Sequence, residues 1–318
     1  MTSPRRHSFH SNEAKVQLSY LITTYNKAGV IEETLRSLQN QIGVDPSEVE
    51  FICVDDASTD KTVKVLAVLA KADPRIQVIQ NKDNQGPAIR INQAAKLARG
   101  EYLLPVDGDD YLPANAASYL LGLARKHSAP LVFGRSKRGD TAPNIDIGAD
   151  VKVADDAFSF CAKKQIVHMG FLAKRSLWEQ VGGADETIFI QDQSLPLKLS
   201  AAANRLVYAS PVVYWLRPAN EDNLSASKAQ QHHDRFFSCY NIYTHKAELS
   251  PEAKQALMRQ IVSAVWKHRR DQPNPAFLSP EFLNYVANRW LGYQLPRSRL
   301  ERAKSAFLSL PGIRRKNG

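Results

Sequence analysis

The sequence predicts an α/β protein whose mostly parallel central sheet is flanked by helices. From Val16 onward, short apolar segments alternate with helical segments, which is the pattern of a parallel sheet built from βαβ units. Polar and acidic residues follow directly on several apolar segments, as expected for ligand-binding loops at the carboxyl edge of such a sheet. The chain has 318 residues, of which 43% are apolar and 23% charged, so it is long enough for one large domain and an appendage.

The alternation is clearest in the first third of the chain. We predict strands over Leu18–Thr23, Phe51–Val54, Ile76–Ile79 and Tyr102–Val106, and helices over Val30–Gln39, Thr62–Ala70 and Pro87–Ala98. The last of these helices begins with proline, which is favoured in a first turn because an N–H there would have no helical partner. We therefore expect the loops after these strands to gather at one edge of the sheet.

Beyond Pro113 the alternation is weaker. We predict helices over Ala114–Lys126, Ser176–Val181 and Asp192–Ala203, strands over Leu131–Phe133, Leu206–Tyr208 and Val212–Trp215, and a polar loop over Gly134–Asp150. From Lys228 onward helical patterns dominate. The expected organisation is a disordered N-terminus over residues 1–15, an α/β domain over 16–227 and a helical, basic extension over 228–318.

The loop after the fourth predicted strand carries three carboxylates. Asp107, Asp109 and Asp110 lie within four positions around Gly108. Charges so close together repel one another unless a cation neutralises them. Mg²⁺ and Mn²⁺ bind one or two carboxylates and complete their coordination with phosphate oxygens and water. The pattern therefore predicts a metal–diphosphate site, and the alternative is an acidic surface turn without a ligand.

The loops after the first two strands carry groups that suit a nucleotide. Thr23, Tyr25 and Asn26 end or follow the first strand, and Asp55 and Asp56 follow the second. An aromatic ring can stack on a base, and a carboxylate can accept hydrogen bonds from a base or ribose. Neither a G-x-G-x-x-G fingerprint nor a P-loop occurs, so a dinucleotide or P-loop site is not predicted.

The net charge of +10 favours an anionic partner such as nucleic acid, a membrane surface or an anionic small substrate. Between Arg289 and Gly318 there are eight Lys or Arg residues and one acid. They are interleaved with Trp290, Leu300, Phe307, Leu308 and Leu310. Such a segment is typical of a basic amphipathic region on an anionic phospholipid surface, or of a helix that packs its apolar stripe on the main domain. No nucleic-acid-binding module is visible, so nucleic acid is not an expected partner.

Targeting and redox features point to the cytoplasm. No segment has the 18 uninterrupted apolar residues of a membrane span, and no apolar region follows Arg5 and Arg6. Cys53, Cys161 and Cys239 are far apart and lack metal-ligand spacing, as expected in a reducing compartment. We expect a cytoplasmic protein. Whether it also contacts the inner face of the plasma membrane stays open.

Four segments together resemble the family 2 glycosyltransferases. They are Ile22–Asn26, Val54–Asp60, Asn84–Tyr102 and Asp107–Asp110. The resemblance covers residues 17–217 and implies a GT-A fold with Mn²⁺ or Mg²⁺ as cofactor. It also implies inverting transfer of a single sugar from a nucleotide-diphosphate sugar, with a UDP-sugar as the expected donor. The implied acceptor is a glycan or a lipid-linked molecule in cell-surface polysaccharide or glycolipid synthesis. The Gln-x-x-Arg-Trp signature of processive synthases is absent.

The resemblance implies roles for individual residues. Contacts to the nucleotide sugar are implied for Thr23, Tyr25, Asn26, Asp56, Asp107 and Arg217. Asp109 and Asp110 are the implied metal ligands. The segment Gly182–Glu186 followed by Gln191 and Asp192 resembles the region of the catalytic base, with Gln191 in place of the family's usual Glu. Asp192 is therefore the expected base, since a positioned carboxylate can accept the proton of an acceptor hydroxyl. Its alternative role is that of an acid at a helix start.

Several positions depart from the family's pattern. Ile91 stands where an arginine is frequent, which leaves the role of Arg90 open. The segments Trp215–Pro218 and Asn223–Ser225 resemble a loop over the donor but lack its histidine. His168 is expected either near the acceptor or as a buried structural residue. The four tryptophans, Trp178, Trp215, Trp266 and Trp290, are expected in the core.

Two rival functions stay open at this point. A sugar nucleotidyltransferase would need a glycine-rich, basic phosphate loop near the first strand, which this sequence lacks. A binding module that has lost its chemistry would keep the fold, although the retained carboxylates argue against it.

Overall fold

A computed structural model describes residues 15–166, 168–218, 227–246, 248–273 and 278–314, and within them eight strands form a single sheet. The strands are β1 (Leu18–Thr24), β2 (Val49–Asp55), β3 (Ile76–Gln80), β4 (Tyr102–Asp107), β5 (Leu131–Arg138), β6 (Val151–Ala154), β7 (Phe171–Lys174) and β8 (Leu206–Leu216). The helices are α1 (Ile31–Gln39), α2 (Thr62–Ala72), α3 (Pro87–Leu97), α4 (Ala116–Lys126), α5 (Ala157–Lys164), α6 (Arg175–Val181), α7 (Gln191–Ala202), α8 (Lys228–His245), α9 (Pro251–Arg270), α10 (Pro280–Leu291) and α11 (Arg297–Leu308). The strand order is β3-β2-β1-β4-β7-β5-β8-β6, which confirms the predicted α/β class.

Four parallel strands position the loops at the carboxyl edge. β1 pairs in parallel with β2 and β4, and β2 pairs in parallel with β3. β1 and β2 are buried along their whole length, as expected for strands covered on both faces by helices. In this register Thr23 lies opposite Asp107, and Thr24 lies opposite Asp55. The three loops predicted to form a site therefore start side by side.

The second half of the sheet contains elements that the sequence pattern did not predict. β5 continues to Arg138 and so includes the first five residues of the stretch predicted to be a loop from Gly134. β6, α5 and β7 were not predicted. β6 and β7 have only four residues each, too few to show a clear alternation of apolar and polar positions. β7 is antiparallel to both β4 and β5 and so joins the two halves.

β8 is one strand where two were predicted. Pro211 lies between the two predicted strands, and proline cannot donate to a sheet ladder. Opposite this proline, the pairing with β5 changes register between Phe133 and Arg135. A bulge of this kind is where a strand tolerates proline.

The helical region after residue 227 packs on the rest of the protein. α8 contacts α7 and α9, and α9 contacts α5 and α10. The buried side chains of these helices belong to the same core as those of the sheet. The division into a domain over 16–227 and an extension over 228–318 stays a prediction. Of the N-terminus predicted to be disordered, residues 1–14 lie outside the described part of the chain.

The basic C-terminal segment divides into two helices with different surroundings. In α11, Leu300 and Phe307 are buried, and the ring of Phe307 stacks on that of Phe236 with centroids 4.6 Å apart. Its apolar stripe therefore packs on the main body, which was one of the two expected arrangements. No helix among the described residues is long and apolar enough to cross a membrane.

The prediction that all four tryptophans are in the core was wrong for Trp290, which is 77% exposed. Trp178, Trp215 and Trp266 are buried as predicted. α10 turns Phe282 toward Trp266 of α9, with ring centroids 4.9 Å apart. Trp290, eight residues after Phe282, lies about 80° from it around the helix, on a side of α10 that is left in solvent.

Replacing either of two adjacent glycines after α6 by alanine should lower the stability of the protein by different amounts. Gly182 and Gly183 both have positive φ, at 66° and 72°. A Cβ on Gly183 would lie 2.1 Å from Oδ1 of Asn92, whereas a Cβ on Gly182 meets nothing within 4 Å. Asn92 binds the backbone of Ala184 through both N–H and C=O, so displacing it breaks buried hydrogen bonds. We expect Gly182→Ala to lower the free energy of unfolding by about 1–2 kcal/mol, and Gly183→Ala by about 1–3 kcal/mol more.

The two variants are compared by denaturant unfolding, with Gly182→Ala as the matched control for backbone strain. Equal losses in the two variants would contradict the packing that the structure shows around Gly183.

Candidate functional site

The carboxyl edge of the parallel strands opens into a cleft of about 450 Å³. Its walls come from the loops after β1, β2, β3 and β4, from the end of β8 and from the start of α7. Of the residues predicted for the site, the cleft is lined by Thr23, Tyr25, Asp56, Asp107, Asp109, Asp110, Asp192 and Arg217. Residues that are far apart in the sequence thus lie together at the carboxyl edge of the sheet, where the loops were expected to gather.

Asp107 lies at the end of β4 and joins three elements. Its Oδ1 accepts a hydrogen bond from Nε2 of Gln191 at 2.8 Å and a longer one from Oγ1 of Thr23 at 3.4 Å. Its backbone N–H donates to the hydroxyl of Tyr214 on β8 at 2.9 Å. Asp107 therefore connects β1, β8 and the first residue of α7.

Asp109 and Asp110 have different partners. Oδ2 of Asp109 lies 2.5 Å from Nζ of Lys27, which follows β1. Asp110 is almost completely buried, and its Oδ1 accepts from the backbone N–H of Arg217 at 3.2 Å. Asp109 thus forms an ion pair with Lys27, whereas Asp110 accepts hydrogen bonds from neutral donors.

Crowding and burial disfavour negative charge at this point. Burial, reinforced by the charges of Asp110 and Asp109, raises the pKa of Asp107 well above its usual range. Burial and the charge of Asp109 raise the pKa of Asp110 to about 7. Oxygen ligands that repel one another in this way suit a hard divalent cation. Among the described residues, no group of three or more His, Cys, Asp or Glu is arranged to hold a metal by itself. The donor set therefore fits a cation that shares one or two carboxylates with the phosphates of a ligand.

Both carboxylate oxygens of Asp56 accept hydrogen bonds from within the protein. Its oxygens accept from the backbone N–H groups of Gln85 and Gly86, each at 2.8 Å, and from Nε of Arg90 at 2.6 Å. The Asp56–Arg90 pair is buried, with both side chains 6% exposed. Arg90, whose role the sequence left open, is thus the partner of Asp56, and the pair holds the loop before α3 against the end of β2.

The loop after β1 presents Tyr25 but not Asn26 to the cleft. Tyr25 is 41% exposed and lines the opening. Asn26 has a φ of 53°, and its Oδ1 accepts from the backbone N–H of Thr59 at 2.8 Å. Its own N–H donates to Oγ of Ser58 at 2.9 Å. Asn26 was predicted to contact the nucleotide, but in this structure it links two loops and does not line the cleft.

Asp192 lies in the first turn of α7, facing the cleft. Its Oδ1 is buried and has no hydrogen-bond partner in the described part of the chain. Burial raises the pKa of Asp192 to about 6, although the guanidinium of Arg235 opposes the shift. A carboxylate with a raised pKa and an unused oxygen has the properties of a general base that works near neutral pH.

α8 holds the beginning of α7 in place. Asp234, which has no exposed surface, accepts from the backbone N–H of Ile190 at 2.8 Å through Oδ2. Its Oδ1 accepts from Nε2 of Gln230 at 2.9 Å and contacts Nδ1 of His233 at 2.7 Å. The position of Asp192, two residues after Ile190, therefore depends on a buried hydrogen-bond network from the C-terminal helices.

His168 lines the cleft and is structural in its contacts. Its Nδ1 accepts from the backbone N–H of Gly170 at 3.2 Å, and its ring meets that of Phe133 edge-on at 6.1 Å. Burial lowers the pKa of His168 to about 4, so the imidazole is neutral at pH 7.

Arg217 directly follows β8 at the mouth of the cleft. Its Nη2 lies 2.7 Å from Oε2 of Glu33, and its guanidinium lies over the ring of Tyr111. Its Nε is buried without a hydrogen-bond partner among the described residues. Residues Asn223–Ser225, predicted to form part of a loop over the donor, lie outside the described part of the chain.

Sequence reasoning missed several residues of the cleft, among them Lys27, Gln191, Tyr214 and Arg314. Lys27 and Gln191 adjoin predicted residues, and Gln191 was noticed only as a departure from a family pattern. Tyr214 lies within a strand, and Arg314 lies near the C-terminus, so neither belonged to a recognisable motif. Polar side chains at the ends of neighbouring strands were the only signal that could have pointed to Tyr214.

Comparisons with known proteins agree with this geometry. The family model described as "Glycosyl transferase family 2" matches residues 19–165. A poly(ribitol-phosphate) beta-glucosyltransferase of Bacillus spizizenii is 26% identical over 85% of this chain and 40% of its own length. A GalNAc(5)-diNAcBac-PP-undecaprenol beta-1,3-glucosyltransferase of Campylobacter jejuni is 36% identical over 37% of each chain. The chain thus spans about 40% of the length of these curated relatives.

Solved structures share the fold. The 1–349 fragment of TarS from S. aureus in complex with UDP-GlcNAc aligns with a TM-score of 0.59 and 21% identity, over 92% of this chain and 81% of the fragment. Mannosyltransferase PcManGT from Pyrobaculum calidifontis, in complex with GDP-Man and Mn²⁺, aligns with a TM-score of 0.61 and 17% identity, over 93% of this chain and 81% of its own. The family match and the shared architecture lead to one conclusion: residues 19–165 form a glycosyltransferase family 2 domain within a chain that has the GT-A fold.

Proposed function

We propose that this protein is an inverting glycosyltransferase that moves a single sugar from a UDP-sugar to a glycan or lipid-linked acceptor in cell-surface polysaccharide or glycolipid synthesis. The observation that carries the proposal is the carboxyl group of Asp192. It has a raised pKa and an unused oxygen, and it lines the same cleft as the acidic residues after β4. A proton acceptor beside a diphosphate-binding edge is the arrangement that glycosyl transfer to a hydroxyl requires.

The names of the relatives support the acceptor class. They include transferases that act on poly(ribitol-phosphate) and on an undecaprenol-linked glycan. Both acceptors are large anionic molecules, and the chain itself carries a net charge of +10. Because the match covers less than half of these proteins, the acceptor is part of the proposal.

The donor would lie across the ends of β1, β2 and β4. Tyr25 offers an aromatic ring, Thr23 a hydroxyl, and Asp107 carboxylate oxygens to the nucleotide sugar. Asp56, already bound to Arg90, offers its remaining acceptor capacity to the base. Arg217 would contact the diphosphate through its unpartnered Nε.

Asp109 and Asp110 are the residues that would hold Mn²⁺ or Mg²⁺. A bound divalent cation supplies charge neutralisation for the departing nucleoside diphosphate, so the leaving group needs no proton. Lys27, which now faces Asp109, is placed to add positive charge at the same point.

The transfer step places its proton on Asp192. The acceptor oxygen forms a bond to the anomeric carbon while the bond from that carbon to the diphosphate oxygen breaks. The electron pair of the broken bond leaves with the diphosphate, and the acceptor hydroxyl proton moves to the carboxylate of Asp192. Attack opposite the leaving group inverts the anomeric configuration.

We propose further that α10 contacts an anionic membrane surface. Leu283 and Trp290 are seven residues apart on one side of the helix and are 54% and 77% exposed, and Leu291 beside them is 82% exposed. Arg289 near the end of α10 and Arg297 at the start of α11 are also exposed. Exposed apolar side chains flanked by cations are typical of helices that lie in the interface of an anionic bilayer. The proposed setting is the cytoplasmic face of the plasma membrane, where a lipid-linked acceptor would be available.

We expect Asp192→Asn to lower kcat about 10²–10⁴-fold while the Kd for UDP with Mn²⁺ changes less than about twofold. In the wild type, protonation of Asp192 as the pH falls through about 6 removes the base, so kcat/KM should fall below that pH. The measurement is sugar transfer from a panel of UDP-sugars at pH 4.5–8, followed by UDP release.

The matched control is Asp155→Asn, since Asp155 is an exposed surface acid. Transfer at the wild-type rate by Asp192→Asn would exclude Asp192 as the base. UDP binding without transfer to any acceptor by the wild type would favour the catalytically degenerate binding module instead.

We expect Trp290→Ser to weaken binding to vesicles of phosphatidylglycerol and phosphatidylcholine about tenfold, since a buried indole contributes several times the transfer free energy of a methylene group. The control is Val68→Ser, because Val68 is 69% exposed on α2. Binding is measured by vesicle co-sedimentation. Equal binding by both variants and the wild type would contradict the proposed membrane contact of α10.

A further inference from the structure

The chain returns to the cleft after α11. The backbone N–H of Arg314 donates to Oε1 of Gln230 at 2.8 Å, and Nε2 of Gln230 donates to the carbonyl oxygen of Arg314 at 3.1 Å. Gln230 is only 4% exposed and also donates to Asp234, which holds the start of α7. Both backbone polar groups of Arg314 are thus bound to a buried side chain that is itself part of the active-site framework.

The side chain of Arg314 reaches the wall of the cleft. Its guanidinium lies over the ring of Phe189, with Cζ 4.1 Å from the ring centroid. Its Nη2 donates to Oδ1 of Asn84. Asn84 in turn donates to the backbone carbonyl of Asp56, one of the predicted donor-binding residues. The two contacts fix the guanidinium at the cleft, beside the ends of β2 and β3.

The side chain of Arg314 differs from three other cationic side chains of the cleft in the groups that it contacts. Lys27, Arg90 and Arg217 also line the cleft, and each lies within 2.7 Å of a carboxylate oxygen. In the described part of the chain, the side chain of Arg314 instead contacts a neutral amide and an aromatic ring. A guanidinium has five N–H donors in a planar fork, and the bond to Asn84 occupies one of its nitrogens. Its positive charge is therefore available to an anion in the cleft.

We propose that Arg314 binds a phosphate group of a ligand in this cleft, so that the C-terminal segment contributes directly to substrate binding. The planar fork of arginine matches phosphate oxygens and forms charge-assisted hydrogen bonds with them. The phosphate belongs either to the donor diphosphate or to a phosphate-bearing acceptor. This inference rests on the proposed transferase function and adds a residue that lies outside every family-like segment of the sequence.

The test compares full-length wild type, Arg314→Ala and Arg314→Lys, with Arg302→Ala as the control. Arg302 is exposed on α11, so its replacement removes the same charge away from the cleft. UDP with Mn²⁺ is titrated by calorimetry as the probe for the donor. sn-Glycerol 3-phosphate is titrated onto the enzyme already saturated with UDP and Mn²⁺, as the probe for an acceptor phosphate.

We expect Arg314→Ala to raise the Kd of one of these probes about tenfold, which corresponds to the loss of a charge-assisted hydrogen bond. Arg314→Lys should retain part of the affinity, and Arg302→Ala should bind as the wild type does. Loss for UDP assigns the contact to the donor, and loss for glycerol phosphate alone assigns it to the acceptor. In the donor case the KM for the nucleotide sugar rises while kcat stays within about twofold.

Unchanged affinity of Arg314→Ala for both probes would overturn the inference, and so would an equal loss in Arg302→Ala. A wild type that binds no nucleotide contradicts the proposed function instead, and sn-glycerol 3-phosphate titrated onto the unliganded wild type and Arg314→Ala then decides the role of Arg314. Melting temperatures of all variants exclude loss of the fold as the cause.

Discussion

Electrostatic repulsion among carboxylates at one edge of the sheet is the constraint on which the site depends. Asp110 is buried and Asp107 half-buried beside Asp109, and the pKa values of Asp107 and Asp110 rise because desolvation and like charge both disfavour ionisation. The protein offsets this with Lys27 on Asp109 and with a neutral amide, Gln191, on Asp107. A glutamate at position 191 would bring a further negative charge to the same point. The amide instead gives the acidic loop a hydrogen bond to the helix that carries Asp192.

The C-terminal helices complete this arrangement. Asp234 on α8 binds the backbone just before α7, and Gln230 joins Asp234 to the segment that contains Arg314. A network of buried polar groups of this kind is rigid only when all its members are satisfied. The position of Asp192 therefore depends on residues more than 40 positions later in the chain, and the region after residue 227 is part of the site's framework.

The sequence predicted the parallel strands and the position of the site, because buried parallel strands are long apolar runs and their loops meet at one edge. It did not predict β6, β7 or α5, whose short lengths carry little periodicity. Nor could it show that Asn26 binds another loop or that Arg90 pairs with Asp56, since these contacts depend on how separate loops approach. Trp290 is exposed because another side of α10 packs on α9. The sequence of α10 alone does not determine which side of the helix packs.

The central claim is that this edge of the sheet binds a nucleoside diphosphate together with a divalent cation. It is tested most directly by calorimetric titration of a panel of nucleoside diphosphates, with and without Mn²⁺, on the wild type and on Asp109→Ala. The account predicts that one nucleotide binds only with the metal and that Asp109→Ala loses this metal-dependent binding. Folded wild-type protein that binds no nucleotide, or an Asp109→Ala variant that binds it as tightly with Mn²⁺ as the wild type does, would contradict the account.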